Sequence, residues 1–195
     1  MVTGVAGVGK TALAVVFAHE MSKEFPDGQL FIDLHGHDPS HPALEPYEAV
    51  ARAVTMIEGS DAVVPRTLDE AAARYRSDLA GSRTLVVVDD ATSAEQIRPL
   101  LPGSTACPVV VTSRRPLHEL VALDGARVVG VDVLGPADAT TLIAELVGHR
   151  DGRANAARLA ALCGYLPSAL RSAAADLVCA PTATGALPGS PADTR

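Results

Sequence analysis

Residues 4 to 11 read Gly-Val-Ala-Gly-Val-Gly-Lys-Thr and match the pattern G-x-x-x-x-G-K-T. In this pattern the glycines let successive backbone N–H groups face one point, where the following helix adds the positive end of its dipole. Lys10 is then placed to reach the β- and γ-phosphates of a nucleotide, and the Thr11 hydroxyl is placed to coordinate Mg²⁺. A glycine-rich turn followed by a chance Lys-Thr pair is the plainer alternative, but the apolar helix start at residues 11–18 favours a Mg²⁺-dependent ATP or GTP site. The residues predicted to contact the nucleotide are Gly4, Val5, Ala6, Gly7, Val8, Gly9, Lys10, Thr11 and Ala12.

Two acids at the end of an apolar run give a second chemical signal. Residues 84–88 form a largely apolar and β-branched run, and Asp89 and Asp90 follow it, as in a Walker B strand. Such a strand delivers its carboxylates to the carboxyl edge of a parallel sheet, where open α/β sheets bind ligands. We expect Asp89 to hold Mg²⁺, directly or through water, and Asp90 to polarise an attacking water as a catalytic residue. A role of both acids in capping the next helix is compatible with this interpretation.

Basic and imidazole side chains follow two other predicted strands. Arg114 ends the strand predicted at 108–115 and is a catalytic candidate, because a guanidinium suits bidentate contact with a γ-phosphate. From the residues alone it is equally a surface arginine at the start of the next helix. His35, His37 and His41 lie in the loop after the strand predicted at 29–34. The sequence offers no fourth metal ligand at helical or hairpin spacing, so we interpret this segment as a polar loop.

The composition limits the classes of function. The chain has 195 residues, 48% of them hydrophobic and 20% charged, which is enough for one domain core and a small appendage. The net charge of −7 argues against direct nucleic-acid binding. No apolar run reaches membrane-spanning length and no signal peptide is recognisable, so we expect no membrane partner. The cysteines are odd in number, lack C-x-x-C spacing and indicate reduced thiols in a cytoplasmic protein: Cys107, Cys163 and Cys179.

Alternating helices and strands must position these residues. Strands are predicted at 29–34, 84–90, 108–115 and 127–131, and helices at 10–22, 47–57, 68–79, 94–101 and 116–121. In the first helix, one face is expected to be shared by Leu13, Val16, Phe17 and Met21. Only residues 1–3 precede the glycine loop, so the central first strand is expected to be truncated. A longer parent protein, a fragment or a weakened relic would each account for this.

From residue 135 onwards the sequence predicts helices alone, at 136–147, 154–163 and 167–178. An apolar stripe on these helices is interpreted as the packing of a small lid: Leu142, Leu146, Leu159, Leu162, Leu166, Leu170 and Leu177. The Pro-, Ala- and Gly-rich end of the chain is predicted to be disordered. The predicted organisation is a nucleotide-binding α/β domain at 1–134, a helical lid at 135–179 and a tail at 180–195.

Taken together, these residues resemble the NB-ARC domain of STAND-class P-loop signalling ATPases, in the version found in bacterial regulators of the antibiotic regulatory protein type. The likeness spans about residues 1–178, in the segments 4–11, 25–39, 85–90, 96–103, 109–115 and 162–170. The resemblance implies that Arg114 senses the γ-phosphate and that Pro167, in a Gly-x-Pro-like element at 164–167, contacts the adenine. The expected fold is α/β: a three-layer αβα P-loop domain with a parallel sheet of about five strands, plus the C-terminal helical lid.

The resemblance also implies a molecular switch. ADP would hold a closed state, exchange for ATP would open it and permit self-association, and slow Mg²⁺-dependent hydrolysis would reset it. Adenine nucleotide and Mg²⁺ are the expected cofactors, and effector or sensor domains outside this chain are the expected partners. Two alternatives stay open: a small-molecule kinase built on the same loop, and a truncated relic that binds no nucleotide.

Overall fold

Apolar, β-branched runs form the strands of one parallel sheet. The structure, a computed structural model, describes residues 1–148 and 153–179. The strands are β1 (Val2–Thr3), β2 (Gln29–Asp33), β3 (Leu85–Ala91), β4 (Val109–Ser113) and β5 (Val129–Gly130). They lie side by side in the order β2-β3-β4-β1-β5, and all four pairings are parallel. This confirms the predicted α/β class and the five-stranded parallel sheet.

Helices connect successive strands and cover the sheet. In the first unit, Met1–Val133, they are α1 (Lys10–Glu20), α2 (Pro46–Glu58), α3 (Leu68–Asp78), α4 (Ala94–Ile97) and α5 (His118–Asp124). A 3₁₀ turn at Arg98–Leu100 continues α4, so the helix predicted at 94–101 changes character halfway. The helix predicted at 116–121 begins two residues later than predicted, at His118, because Leu117 has an extended backbone and serves as the N-cap of α5.

Strand β3 carries the core on both of its faces. Its apolar residues Leu85, Val86, Val87 and Val88 are each 1% exposed or less. Successive strand residues point to opposite faces, and accordingly Leu85 and Val87 pack in one cluster with α1 while Val86 and Val88 pack in the larger cluster with α2 and α3. Burial on both faces is what a parallel sheet requires, and the result is the predicted three-layer arrangement.

The first helix packs through a different face from the one we predicted. Its buried apolar residues are Ala14 and Ala18, whereas Leu13, Val16 and Phe17 are 44%, 54% and 40% exposed. The two alanines leave room for α1 to approach the leucine and valine side chains of β3 closely. The larger apolar residues do share a face, but within the described residues that face is turned to solvent.

The second unit begins at Leu134 and contains α6 (Pro136–Val147), α7 (Arg153–Leu162) and α8 (Pro167–Cys179). Its core is built mostly from small residues: Ala139, Ile143, Ala156, Ala160 and Leu170. The predicted leucine stripe is only partly a packing stripe, since Leu146, Leu162 and Leu177 are 38%, 76% and 46% exposed. The predicted tail at 180–195 lies outside the described residues. Across the described ranges, none of the helices has the length and apolarity to span a membrane.

Candidate functional site

The glycine loop joins β1 to α1 with the conformation that its glycines permit. Gly4, Gly7 and Gly9 all have positive φ angles, of 155°, 77° and 100°. A β-carbon on Gly4 would collide with the carbonyl oxygen of Val131, so glycine is required there by space as well as by backbone angle. Gly9 is the N-cap of α1 and no side chain caps this helix. The N–H groups of the first turn are therefore open to an anionic ligand.

Lys10 is the first residue of α1 and is 8% exposed. Its Nζ donates a hydrogen bond of 2.9 Å to the carbonyl oxygen of Val5, within the same loop. Burial, followed by repulsion from the Arg114 guanidinium, lowers the pKa of Lys10 below its ordinary value. A phosphate group would compensate this ammonium better than one carbonyl does.

Thr11 meets the Walker-type strand directly. Its Oγ1 lies 2.8 Å from Oδ2 and 3.0 Å from Oδ1 of Asp89, which is 5% exposed. The hydroxyl of Thr112, on β4, donates to Oδ1 of the same carboxylate at 2.5 Å. These two hydroxyl donors come from α1 and β4 and fix the carboxylate of β3 at the sheet edge. A donor set made only of oxygen atoms suits Mg²⁺.

A bulge in β3 lets two consecutive acids serve one site. Val88 pairs with Val111 and Ala91 pairs with Ser113, so two residues on β3, Asp89 and Asp90, oppose a single residue on β4. Asp90 takes a left-handed φ of 53°, and its N–H donates to the Thr112 hydroxyl at 2.9 Å. Without such a bulge, neighbouring strand residues would point to opposite faces.

Both carboxylate oxygens of Asp90 are held by the loop at residues 35–41, which we call the histidine loop. The backbone N–H of His37 donates to Oδ2 at 2.7 Å, and Nδ1 of the His37 ring lies 2.8 Å from Oδ1. Gly36 donates its N–H to the Asp90 carbonyl, and a β-carbon at this glycine would collide with that same carbonyl oxygen. The histidine loop is thus docked on the strand end. Our sequence analysis missed these roles of His37 and Gly36.

The histidine loop also gathers side chains that the sequence did not bring together. Nδ1 of His41 lies 2.7 Å from Oδ2 of Asp38, and the His35 and His41 rings stack with their centres 5.1 Å apart. The N–H of Ser40 and the ring of His41 lower the pKa of Asp38. The predicted polar loop is therefore an ordered cluster, with Asp38 as the partner that we did not consider.

One cleft collects most of the predicted site residues. It has a volume of about 220 Å³ and is lined by Ala6, Gly7, Lys10, Thr11, Asp33, Asp38, Asp89, Asp90, Thr112 and Arg114. Arg114 is exposed, and its Nη2 lies 3.5 Å from the His37 carbonyl. The cleft therefore contains two cationic and four carboxylate side chains. This balance of charge disfavours the binding of a polyanion alone and favours the binding of an anion together with a divalent cation.

Some predicted nucleotide-binding residues do not line this cleft. Val8 is buried beneath the glycine loop, whereas the Val5 side chain is 58% exposed. Ala12 is exposed in the first turn of α1. Pro167 belongs to the second unit, where it is the first residue of α8. Thr112, by contrast, contacts both acids and was missed, since a threonine near a strand end carries no distinctive sequence signal.

The sheet order, the glycine loop before α1 and the acids at the end of β3 define an α/β fold of the P-loop NTPase type. No protein-family model matches the chain. It is similar to a segment of two proteins named regulatory protein AfsR, from Streptomyces griseus (45% identity over 181 residues) and Streptomyces coelicolor (44% over 179 residues). These alignments cover 90% and 89% of this chain but only 18% and 17% of the relatives, so the chain spans under a fifth of their length.

A solved structure has the same fold. It is a signal transduction ATPase with numerous domains (STAND), with a tetratricopeptide repeat sensor, from Pyrococcus horikoshii. The match has a TM-score of 0.52 at 19% identity and covers 85% of this chain and 25% of that one. At this identity the likeness supports the P-loop ATPase fold and leaves the activity of this chain to be argued from its own residues.

Proposed function

We propose that this chain is the nucleotide-binding module of a longer regulator and works as an ADP/ATP switch of the NB-ARC type, with slow Mg²⁺-dependent ATPase activity. The observation that carries the proposal is the convergence of Lys10, the Thr11–Asp89 pair and Asp90 on one cleft. The names and lengths of the two regulatory relatives support the idea of a module within a larger signalling protein.

Each residue of the cleft has a role in this proposal. Lys10 would exchange its bond to the Val5 carbonyl for the β- and γ-phosphates. Thr11 and Asp89 would hold Mg²⁺, and the bound ion would neutralise phosphate charge. Arg114 would contact the γ-phosphate, so that ATP and ADP are bound differently. Pro167 would contact the adenine, as the resemblance implies.

Asp90 would orient the attacking water and accept its proton. Its two carboxylate oxygens already accept hydrogen bonds from His37. These contacts fix the orientation of the Asp90 carboxylate towards the cleft.

Isothermal titration calorimetry with MgADP and MgATP tests the binding step. We expect Lys10→Ala to abolish triphosphate binding, whereas Lys23→Ala, at an exposed lysine in the same unit, should bind like the wild type. Asp90→Asn should keep nucleotide binding and slow phosphate release, and asparagine tolerates the left-handed backbone at this position. A folded wild-type sample that gives no heat with either nucleotide would refute the proposal.

Light scattering with ADP and with ATP then tests nucleotide-dependent self-association.

A further inference from the structure

We propose that the histidine loop holds a second metal site, for a zinc-type divalent cation, built from His35, Asp38 and His41. One ligand atom from each of these three residues lies within 4.8 Å of the others. The proposed site shares none of its ligands with the Thr11–Asp89 pair, although Asp38 also lines the cleft that contains this pair.

The distances between the ligand atoms are close to those that a bound ion requires. In a tetrahedral zinc site with bonds of about 2.0–2.1 Å, neighbouring ligand atoms lie roughly 3.3–3.4 Å apart. Oδ2 of Asp38 is 2.7 Å from Nδ1 of His41 and 3.8 Å from Nδ1 of His35. These two distances lie on either side of the required one, and the ligand atoms of His35 and His41 lie within 4.8 Å of each other, so the three side chains would have to move closer around the ion.

His35 provides the observation that points most directly to a ligand. Its Nδ1 is buried and makes no hydrogen bond among the described residues; the carboxylate oxygens near it are Oδ1 of Asp33 at 3.4 Å and Oδ2 of Asp38 at 3.8 Å. The main chain at this residue is constrained: His35 takes a φ of 53°, and its backbone N–H donates to Oδ1 of Asp33 at 2.8 Å. An ion bound between His35, Asp38 and His41 would provide the missing partner for this nitrogen.

The donor set selects the class of ion. Two imidazole nitrogens and one carboxylate favour zinc and its neighbours over Mg²⁺, which prefers oxygen ligands. Three protein ligands leave a fourth position for water. The His41 side chain is 62% exposed, so an ion has direct access from solvent.

Zinc binding by the 195-residue chain tests the proposal. The protein is stripped with EDTA, exchanged into chelator-free buffer and titrated with Zn²⁺ against a chromophoric chelator, with excess Mg²⁺ present throughout. We expect one equivalent of zinc and a rise in the thermal midpoint. His41→Ala, Asp38→Asn and His35→Asn should each weaken binding by about a hundredfold or more, because loss of even an outer-shell group costs about 10–100-fold.

Matched controls separate this site from incidental zinc binding. His118→Ala and Cys179→Ser remove an exposed imidazole and an exposed thiol outside the histidine loop and should leave the affinity unchanged. Circular dichroism verifies that the variants fold, and His41 is exposed enough for its loss to spare the core. Absence of zinc binding at micromolar concentration would overturn the proposal. Binding that survives His41→Ala and Asp38→Asn, or that falls equally in the two control variants, would overturn it as well.

Discussion

The Thr112 hydroxyl links the two acids of the cleft, and Thr112→Val removes it while keeping the shape of the side chain. In the native protein this oxygen donates to Oδ1 of Asp89 and accepts the N–H of Asp90. Thr112 is 1% exposed and Asp89 is 5% exposed, so water cannot easily replace either bond. Valine is also favourable in a strand, so strand propensity does not confound the comparison.

The expected loss of stability follows from these two contacts. A hydrogen bond to a charged group contributes about 1.5–3 kcal/mol, and a buried donor left without a partner costs about 1–3 kcal/mol. Because the two effects share one atom and are not additive, we expect a decrease of about 3 kcal/mol in the free energy of unfolding. For a chain of this size that corresponds to a fall of roughly 6–12 °C in the thermal midpoint.

Thr112→Ser is the matched control, because it keeps the hydroxyl and loses only a methyl group. Urea titration and thermal melting, both followed by circular dichroism, compare the two variants with the wild type. We expect the serine variant to lie much closer to the wild type than the valine variant. If the serine variant is the less stable of the two, the hydroxyl network is not what fixes the acids, and our account of the cleft is wrong.

Three further predictions concern other residues. Lys10→Met should raise the thermal midpoint of the nucleotide-free protein, because burial lowers the pKa of Lys10 and so penalises its charged form. The difference in midpoint between the variant and the wild type should shrink as the pH rises from the lowered pKa towards the ordinary value of 10.5, where the lysine of the folded protein is neutral. A difference that stays constant across that pH range would contradict this prediction. His37→Ala should slow ATP hydrolysis roughly tenfold and leave the affinity for MgADP nearly unchanged, because the lost hydrogen bond from the ring orients only Asp90. If calorimetry shows a tenfold loss of MgADP affinity as well, this role of His37 is wrong. Tyr75→Phe should lower the unfolding free energy by about 1–2 kcal/mol in urea titrations, because its buried hydroxyl is bonded to the Leu100 carbonyl; a neutral result would mean that this bond adds no net stability.

The sequence predicted the sheet and the elements that bear the site because its signals there are local. An apolar run that ends in acids identified β3, and the glycine pattern identified the loop before α1. The buried face of α1 could not be predicted in the same way. Hydrophobicity alone favours Leu13 and Phe17, but close packing against β3 selects the alanines instead.

The contacts that complete the cleft were beyond prediction because they are non-local. Thr112 and His37 reach Asp89 and Asp90 from a different strand and a different loop, across more than 20 and 50 residues of sequence. The bulge in β3 depends on its register with β4, which no single strand encodes. Asp38 acquires its two histidine neighbours only through the turn of the loop itself.

The close approach of Gly36 to the Asp90 carbonyl has a mechanical consequence. Where two stretches of backbone touch without an intervening side chain, neither can shift without displacing the other. The exposed side of the histidine loop, at His37 and His41, is therefore mechanically coupled to Asp90. A ligand or protein that binds the exposed side of the histidine loop would change the orientation of the Asp90 carboxylate without deforming the sheet.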